Sequence, residues 1–259
     1  MVGIIDYGVG NLFSLRSSFD AIGENVVVSS DPEVLRKADH IIVQTNWFKE
    51  ASAKWIPFDE NNFSVVNPKV TIEERFLQKP YCLKEPIFFY PAGDGMHKNH
   101  ELVVEACKRL KAEGITDYKV VFTLDRKTAQ YSERIAQIIE KENLPIEFTG
   151  IISKDEVFEY YSKSVMLFPS YLETFGLPPL EARKMKAIVF ASDMPFCRES
   201  LAGYENAHFY GIHDAEKLAG LMKQVIQGEL PYHEVQESVS EGKKKTVIEC
   251  IFDGIKTEK

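Results

Sequence analysis

Glu173 and Glu181 frame the segment Thr-Phe-Gly-Leu-Pro-Pro-Leu. The segment follows an apolar run, Val165–Phe168, that reads as a buried parallel strand. Gly176 supplies a turn, and Pro178 and Pro179 suit the first helical positions, where a missing N–H costs nothing. A helix-forming run begins at Leu180. A strand, a tight turn and a helix N-terminus aim backbone N–H groups and the positive end of a helix dipole at one spot. A diphosphate on those N–H groups, with sugar hydroxyls on the two carboxylates, would satisfy every group. The same residues also suit a plain strand–turn–helix carrying two solvated acids.

The longer string Pro-Ser-x-x-Glu-x-Phe-Gly-Leu-Pro-x-x-Glu-Ala, from Pro169 to Ala182, resembles the donor-site signature of the retaining nucleotide-sugar glycosyltransferases with two Rossmann-like domains, family four. The resemblance implies that Glu181 holds the ribose of a nucleotide and Glu173 contacts the donor sugar. Thr174, Phe175, Gly176 and Leu177 would form the donor-binding turn, with amides on the diphosphate. Lys98, in Pro91–His100, matches the family's diphosphate lysine, so Lys98 and Glu173 are the catalytic candidates. Gly93 stands where the family often has an arginine; Gly93 and Gly95 permit close backbone approach instead. The turn at Gly150 and Ile151 matches the segment beside the nucleobase. The implied reaction moves a sugar from a nucleoside diphosphate sugar, with retained anomeric configuration, to a saccharide or lipid-linked saccharide. Lys98 and the turn amides, rather than a metal cofactor, would stabilise the leaving diphosphate.

The elements that flank these residues read as an α/β chain. Buried strands are expected at Pro86–Tyr90, Lys119–Leu124 and Ile146–Thr149. A helix follows His100 with Leu102, Val103, Ala106 and Leu110 on one face, and another spans Thr128–Asn143. Ser153 and Glu156 form a capping box for a helix over Val157–Lys163. Lys186 replaces the family's helix-capping glycine, which requires a left-handed lysine at a cost of about 1 kcal/mol. His97 and His100 have a spacing compatible with a metal pair, but no third ligand accompanies them, and polar loop packing is expected. Helices are also expected at Ala215–Gln227 and Thr246–Ile255.

The first residues carry a different pattern. Val2–Ile5, Asn25–Ser29 and Ile41–Val43 read as strands of a parallel βαβαβ unit, with helices at Leu12–Ile22 and from Asp31 to about Ala38. Gly8-Val9-Gly10 lacks the third glycine of a dinucleotide fingerprint. Residues 1 to about 40, with Ile-Ile-Asp-Tyr-Gly-x-Gly-Asn-Leu, resemble the start of the glutamine amidotransferase subunit of imidazole glycerol phosphate synthase. Amidotransferase chemistry needs a thiolate in a Gly-x-Cys-x-Gly elbow with a histidine base. Cys82 sits in Pro-Tyr-Cys-Leu-Lys, and none of the four cysteines has flanking glycines. The expected organisation is an amidotransferase-like fragment at 1–43, a connector from a truncated acceptor domain at 44–84, irregular over Thr71–Pro86, and a nucleotide-sugar-binding domain at 85–259. Transfer weakened by the shortened acceptor side is expected. A non-catalytic nucleotide-binding remnant is the alternative, and an amidotransferase-type subunit a more distant one.

The bulk properties set limits. Hydrophobic residues make up 44% of the chain and aromatics 12%, enough for a substantial core. A net charge of −8 opposes a nucleic-acid partner, which needs a basic surface. Cysteines without disulfide or metal spacing fit a reduced, cytoplasmic setting. No apolar run reaches membrane-spanning length, and the Met-Val-Gly-Ile-Ile start lacks the basic region of a signal peptide.

Overall fold

A computed structural model describes residues 2–5, 16–17, 20–21, 23, 26–38, 41–54, 63–126 and 129–235. The expected helices at Leu12–Ile22 and Thr246–Ile255 lie wholly or largely outside the described residues. Two compact units divide the chain: described residues up to Lys69 with Glu173–Phe175 form the first, and Val70–Leu172 with Gly176 onward the second.

In the first unit, β1 (Val2–Ile5) pairs in parallel with β2 (Val26–Ser29). β3 (Ile41–Val43) pairs in parallel with β4 (Phe63–Val65). The expected three-stranded βαβαβ sheet is therefore corrected among the described residues. The partner of β3 is β4, drawn from the stretch expected to be connector. β3 is wholly β-branched and β4 combines Phe63 with Val65, side chains that fit a half-buried pleat. Between β2 and β3 lies α1 (Pro32–Leu35), whose N-cap Asp31 accepts from Glu33 N at 2.9 Å. Between β3 and β4 lies α2 (Asn46–Ala53), whose N-cap Thr45 accepts from Phe48 N at 3.1 Å. Each cap satisfies a backbone donor that the helix start leaves open. Leu35, Ile41, Val43 and Phe63 form the core here, with Phe48 and Val65 packed on it. The Thr45 hydroxyl also donates to the Thr174 carbonyl at 3.1 Å, and the Thr174 hydroxyl donates to Gln44 Oε1 at 2.8 Å.

The second unit is an α/β layer structure. Its strands are β5 (Ile87–Tyr90), β6 (Lys119–Phe122), β7 (Ile146–Phe148), β8 (Val165–Phe168), β9 (Val189–Ser192) and β10 (Ala207–Tyr210). They form one parallel sheet in the order β10-β9-β8-β5-β6-β7. Successive units thus run outward in opposite directions from the β5–β8 pair, the arrangement of a doubly wound fold. Helices covering both faces explain why β8 and β9 are buried along their whole length and why β8 reads as a continuous apolar run. The expected α/β class with Rossmann-like parallel sheets is the class observed.

The helices of this unit are α3 (Glu74–Leu77), α4 (His100–Ala112), α5 (Gln130–Lys141), α6 (Lys154–Tyr161), α7 (Leu177–Lys184), α8 (Pro195–Ser200) and α9 (Ala215–Ile226). Leu102, Val103, Ala106 and Leu110 of α4 are all buried. α3 forms inside the segment expected to be irregular. Its Phe76 is buried against Phe158, with ring centroids 5.2 Å apart, and that one aromatic anchor outweighs the polar sequence around it. At the end of α7, Lys186 does adopt the left-handed conformation, with φ 61°.

Candidate functional site

In a doubly wound sheet, the crevice opens beyond the carboxyl ends of the strands where the order reverses. Here that point lies between β5 and β8. After β5 the chain runs through Pro91, Ala92 and Gly93. The Thr123 hydroxyl, just past β6, donates to the Ala92 carbonyl at 3.2 Å and holds this loop down. The turn ending in Lys98 is a single 3₁₀ turn, Met96–Lys98, followed by Asn99 in a left-handed conformation at φ 56°. Lys98 therefore precedes α4 rather than lying in its first turn. The Tyr90 hydroxyl donates to the Lys98 carbonyl at 2.8 Å, which anchors the turn to β5.

The loop after β8 is tied to the same turn. The Ser170 hydroxyl donates to the His97 carbonyl at 3.1 Å, and the Asn99 amide donates to the carbonyls of Pro169 and Ile212 at 3.2 and 3.0 Å. α7 begins at Leu177, preceded by Gly176 at φ 84°. No side chain caps this helix start. Pro178 and Pro179 carry no N–H, so the open donors there reduce to Gly176 and Leu177. The proline pair thus removes half of the donors that an ordinary helix N-terminus would offer an anion.

A cleft of about 270 Å³ sits at these strand ends. Of the expected site residues, Gly93, Ile151 and Glu181 line it. Lys98, Gly150, Gly176 and Leu177 belong to the second unit but do not line this cleft. Glu173, Thr174 and Phe175 group with the first unit. Gly93 is exposed, and a Cβ there would meet nothing within 4 Å, so the missing arginine leaves open space. Gly150 is held at φ 70°, with its N–H donating to Leu124 O at 3.1 Å. Ile151 beside it is 96% exposed.

Glu181 is the buried acid of the cleft, at 7% exposure. Its Oε1 pairs with Lys154 Nζ at 2.5 Å, and its Oε2 accepts from the Tyr161 hydroxyl at 3.4 Å. Burial, then the Glu181 charge, push the Tyr161 phenol well above its ordinary range, so it stays a donor. Lys154 and Tyr161 both line the cleft, with Thr123, Ile152, Val157 and Pro178 beside them. Sequence inspection did not single out Lys154 or Tyr161 as site residues. One signal was available: Lys154, Val157 and Tyr161 recur at helical spacing and so share one face of α6. The expected capping box fixes where that helix starts. Ser153 N and Oγ donate to Glu156 Oε2 at 2.8 and 2.7 Å, and Glu156 N donates to Ser153 Oγ at 3.3 Å.

His100 does not sit in a polar loop. Its ring is fully buried, 4.7 Å from Tyr90 and 4.9 Å from Phe122 between centroids. Neither ring nitrogen has a hydrogen-bond partner. Burial, then the charges of Lys98 and His97, pull its pKa down to about 3. No cluster of three metal-ligating side chains occurs among the described residues, nor is any of their helices long and apolar enough to cross a membrane.

Comparison with known proteins places this geometry. The serotype-specific mannosyltransferase WbdA of Escherichia coli is 30% identical over 164 residues, 62% of this chain and 20% of that protein. The chain thus spans about a fifth of that relative's length. A separate segment of 43 residues, 17% of the chain, is 51% identical to the imidazole glycerol phosphate synthase subunit HisH of Bacillus velezensis, covering 20% of it. Among solved structures, S. aureus TarM in complex with Fondaparinux, alpha-GlcNAc-glycerol and UDP superposes with a TM-score of 0.61 at 19% identity. That match covers 74% of this chain and 38% of TarM. The family described as Glycosyl transferases group 1 matches residues 73–246, which contain the whole doubly wound sheet and its cleft. The chain belongs to the group 1 glycosyl transferases.

Proposed function

We propose that the second unit binds a nucleoside diphosphate sugar and that the chain transfers the sugar with retention to a saccharide or lipid-linked saccharide. The observation that carries this reading is Glu181. A buried carboxylate at the reversal point of a doubly wound sheet, facing an open cleft, suits the vicinal hydroxyls of a ribose. In this reading the nucleobase lies along Gly150 and Ile151, and the open backbone at Gly93 admits the diphosphate. Lys98 and the N–H groups of Gly176 and Leu177 take up charge as the bond from anomeric carbon to diphosphate breaks. The sugar contact of Glu173, and the diphosphate amides of Thr174 and Phe175, rest on the sequence signature. The UDP bound in the TarM complex makes uridine donors the first to test. No metal cofactor enters this scheme.

Transfer by this chain alone is expected to be slow. Among the described residues, the first unit forms just two two-stranded sheets, and positioning an acceptor supplies about 7–11 kcal/mol of barrier reduction. A thermal-shift panel of UDP- and GDP-sugars tests binding, because a ligand selective for the folded state stabilises it by mass action. Stabilisation by one nucleotide class supports the reading. No shift with any member at millimolar concentration defeats it. Turnover onto a saccharide acceptor at about 1 per second or faster would defeat the expectation of slow transfer.

A further inference from the structure

We infer that Lys154 and Tyr161 are positioning residues that clamp the Glu181 carboxylate for recognition of a vicinal diol, making ribose-over-deoxyribose selectivity a property of the Lys154–Glu181–Tyr161 cluster. The inference rests on the nucleotide reading of the cleft and names the groups that give Glu181 its selectivity.

The geometry has three parts. Glu181 projects from the second turn of α7 into the cleft with 9% of its side chain exposed. Tyr161, fully buried on α6, donates to Oε2 from the protein side. Lys154, one face-repeat earlier on the same helix, places its ammonium on Oε1 from the solvent side, with 58% of its side chain exposed. Each carboxylate oxygen therefore has one donor, and the two donors approach from opposite ends of one helical face. An ionised carboxylate accepts about four hydrogen bonds, so each oxygen keeps capacity for one ribose hydroxyl. Because both oxygens are held, the plane of the carboxylate is fixed before ligand arrives, and little ordering is left for the binding step.

Charge supports the same role. A buried carboxylate with no cation beside it carries a large desolvation cost. Lys154 is the one ammonium or guanidinium lining the cleft among the described residues, Gly93 having no side chain to offer. The exposure of Lys154 also makes it a safe residue to change. Methionine keeps the stem against α6 and removes the charge.

The test uses the full chain and isothermal titration with UDP, 2′-deoxy-UDP, GDP and 2′-deoxy-GDP. Wild type should bind one ribonucleotide roughly tenfold or more tightly than its deoxy counterpart, the scale of one charge-assisted hydrogen bond. Lys154→Met should weaken that ribonucleotide about tenfold and leave the deoxy analogue within about threefold of wild type, erasing the preference. Lys154→Arg should restore most of it, and Tyr161→Phe should reduce it with a smaller loss. Equal weakening of ribo and deoxy ligands by Lys154→Met, or a retained preference, overturns the inference while leaving nucleotide binding standing. If wild type binds ribo and deoxy forms equally, Glu181 is not a diol receptor and the clamp falls with it. If wild type binds neither UDP nor GDP, the nucleotide reading fails first.

Discussion

The backbone amide of Tyr171 donates to the carbonyl of His97 at 3.0 Å. This bond joins the loop after β8 to the turn that carries Lys98, directly across the point where the sheet order reverses. Asn99 reinforces it by donating its side-chain amide to both Pro169 O and Ile212 O. The loops that follow β5, β8 and β10 are therefore locked together by one asparagine and its neighbours.

Asn99→Ala should destabilise the protein by about 2–4 kcal/mol. It removes two hydrogen bonds at about 1 kcal/mol each and forces a Cβ residue without local polar compensation into φ 56°. Asn99→Gly keeps the conformation and loses the bonds, so its cost should be smaller. Urea unfolding of both variants measures the order; a glycine variant no more stable than the alanine variant would contradict it.

Glu181→Ala should weaken binding of the nucleoside diphosphate by about 1–3 kcal/mol, the cost of losing charge-assisted hydrogen bonds to a ribose. Calorimetry against wild type checks this. Unchanged affinity would take Glu181 out of the ribose role.

His100 gives the fold an acid limb. Its pKa falls from an ordinary 6.5 to about 3 on burial beside Lys98. Below about 6.5 the unfolded chain takes up a proton that the folded chain refuses, so stability falls as pH drops through the window from 6.5 to 3. Between pH 7 and pH 5 this one group should cost up to about 2 kcal/mol. In His100→Leu that contribution disappears. Urea midpoints at the two pH values, compared between wild type and variant, measure it; equal pH dependence in both would refute it.

Lys186→Gly should raise stability by about 0.5–1 kcal/mol, because glycine relieves the left-handed strain at φ 61°. The hydrogen bond that the Lys186 carbonyl accepts from Tyr232 OH at 3.1 Å involves backbone and survives the change. A lower melting temperature for the variant would mean that the lysine side chain contributes more than the strain costs.

Local periodicity and turn chemistry carried a good deal of this molecule in its sequence. Continuous apolar runs marked β5 and β8 because a doubly covered parallel sheet leaves no polar face. Gly176 and the proline pair marked the turn into α7 because few residues tolerate those backbone angles. Each of these is encoded within a few residues, where steric and hydrogen-bonding rules act directly. The pairing of Lys154 with Glu181 spans 27 positions, and nothing near either residue specifies the other. It exists because the sheet order sets α6 and α7 side by side at the reversal point. The pairing of β3 with β4 in the first unit and the enclosure of His100 by aromatic rings in the second have the same kind of origin: which strand finds an edge, and which ring fills a gap, are decided by tertiary packing within each unit rather than by spacing along the chain.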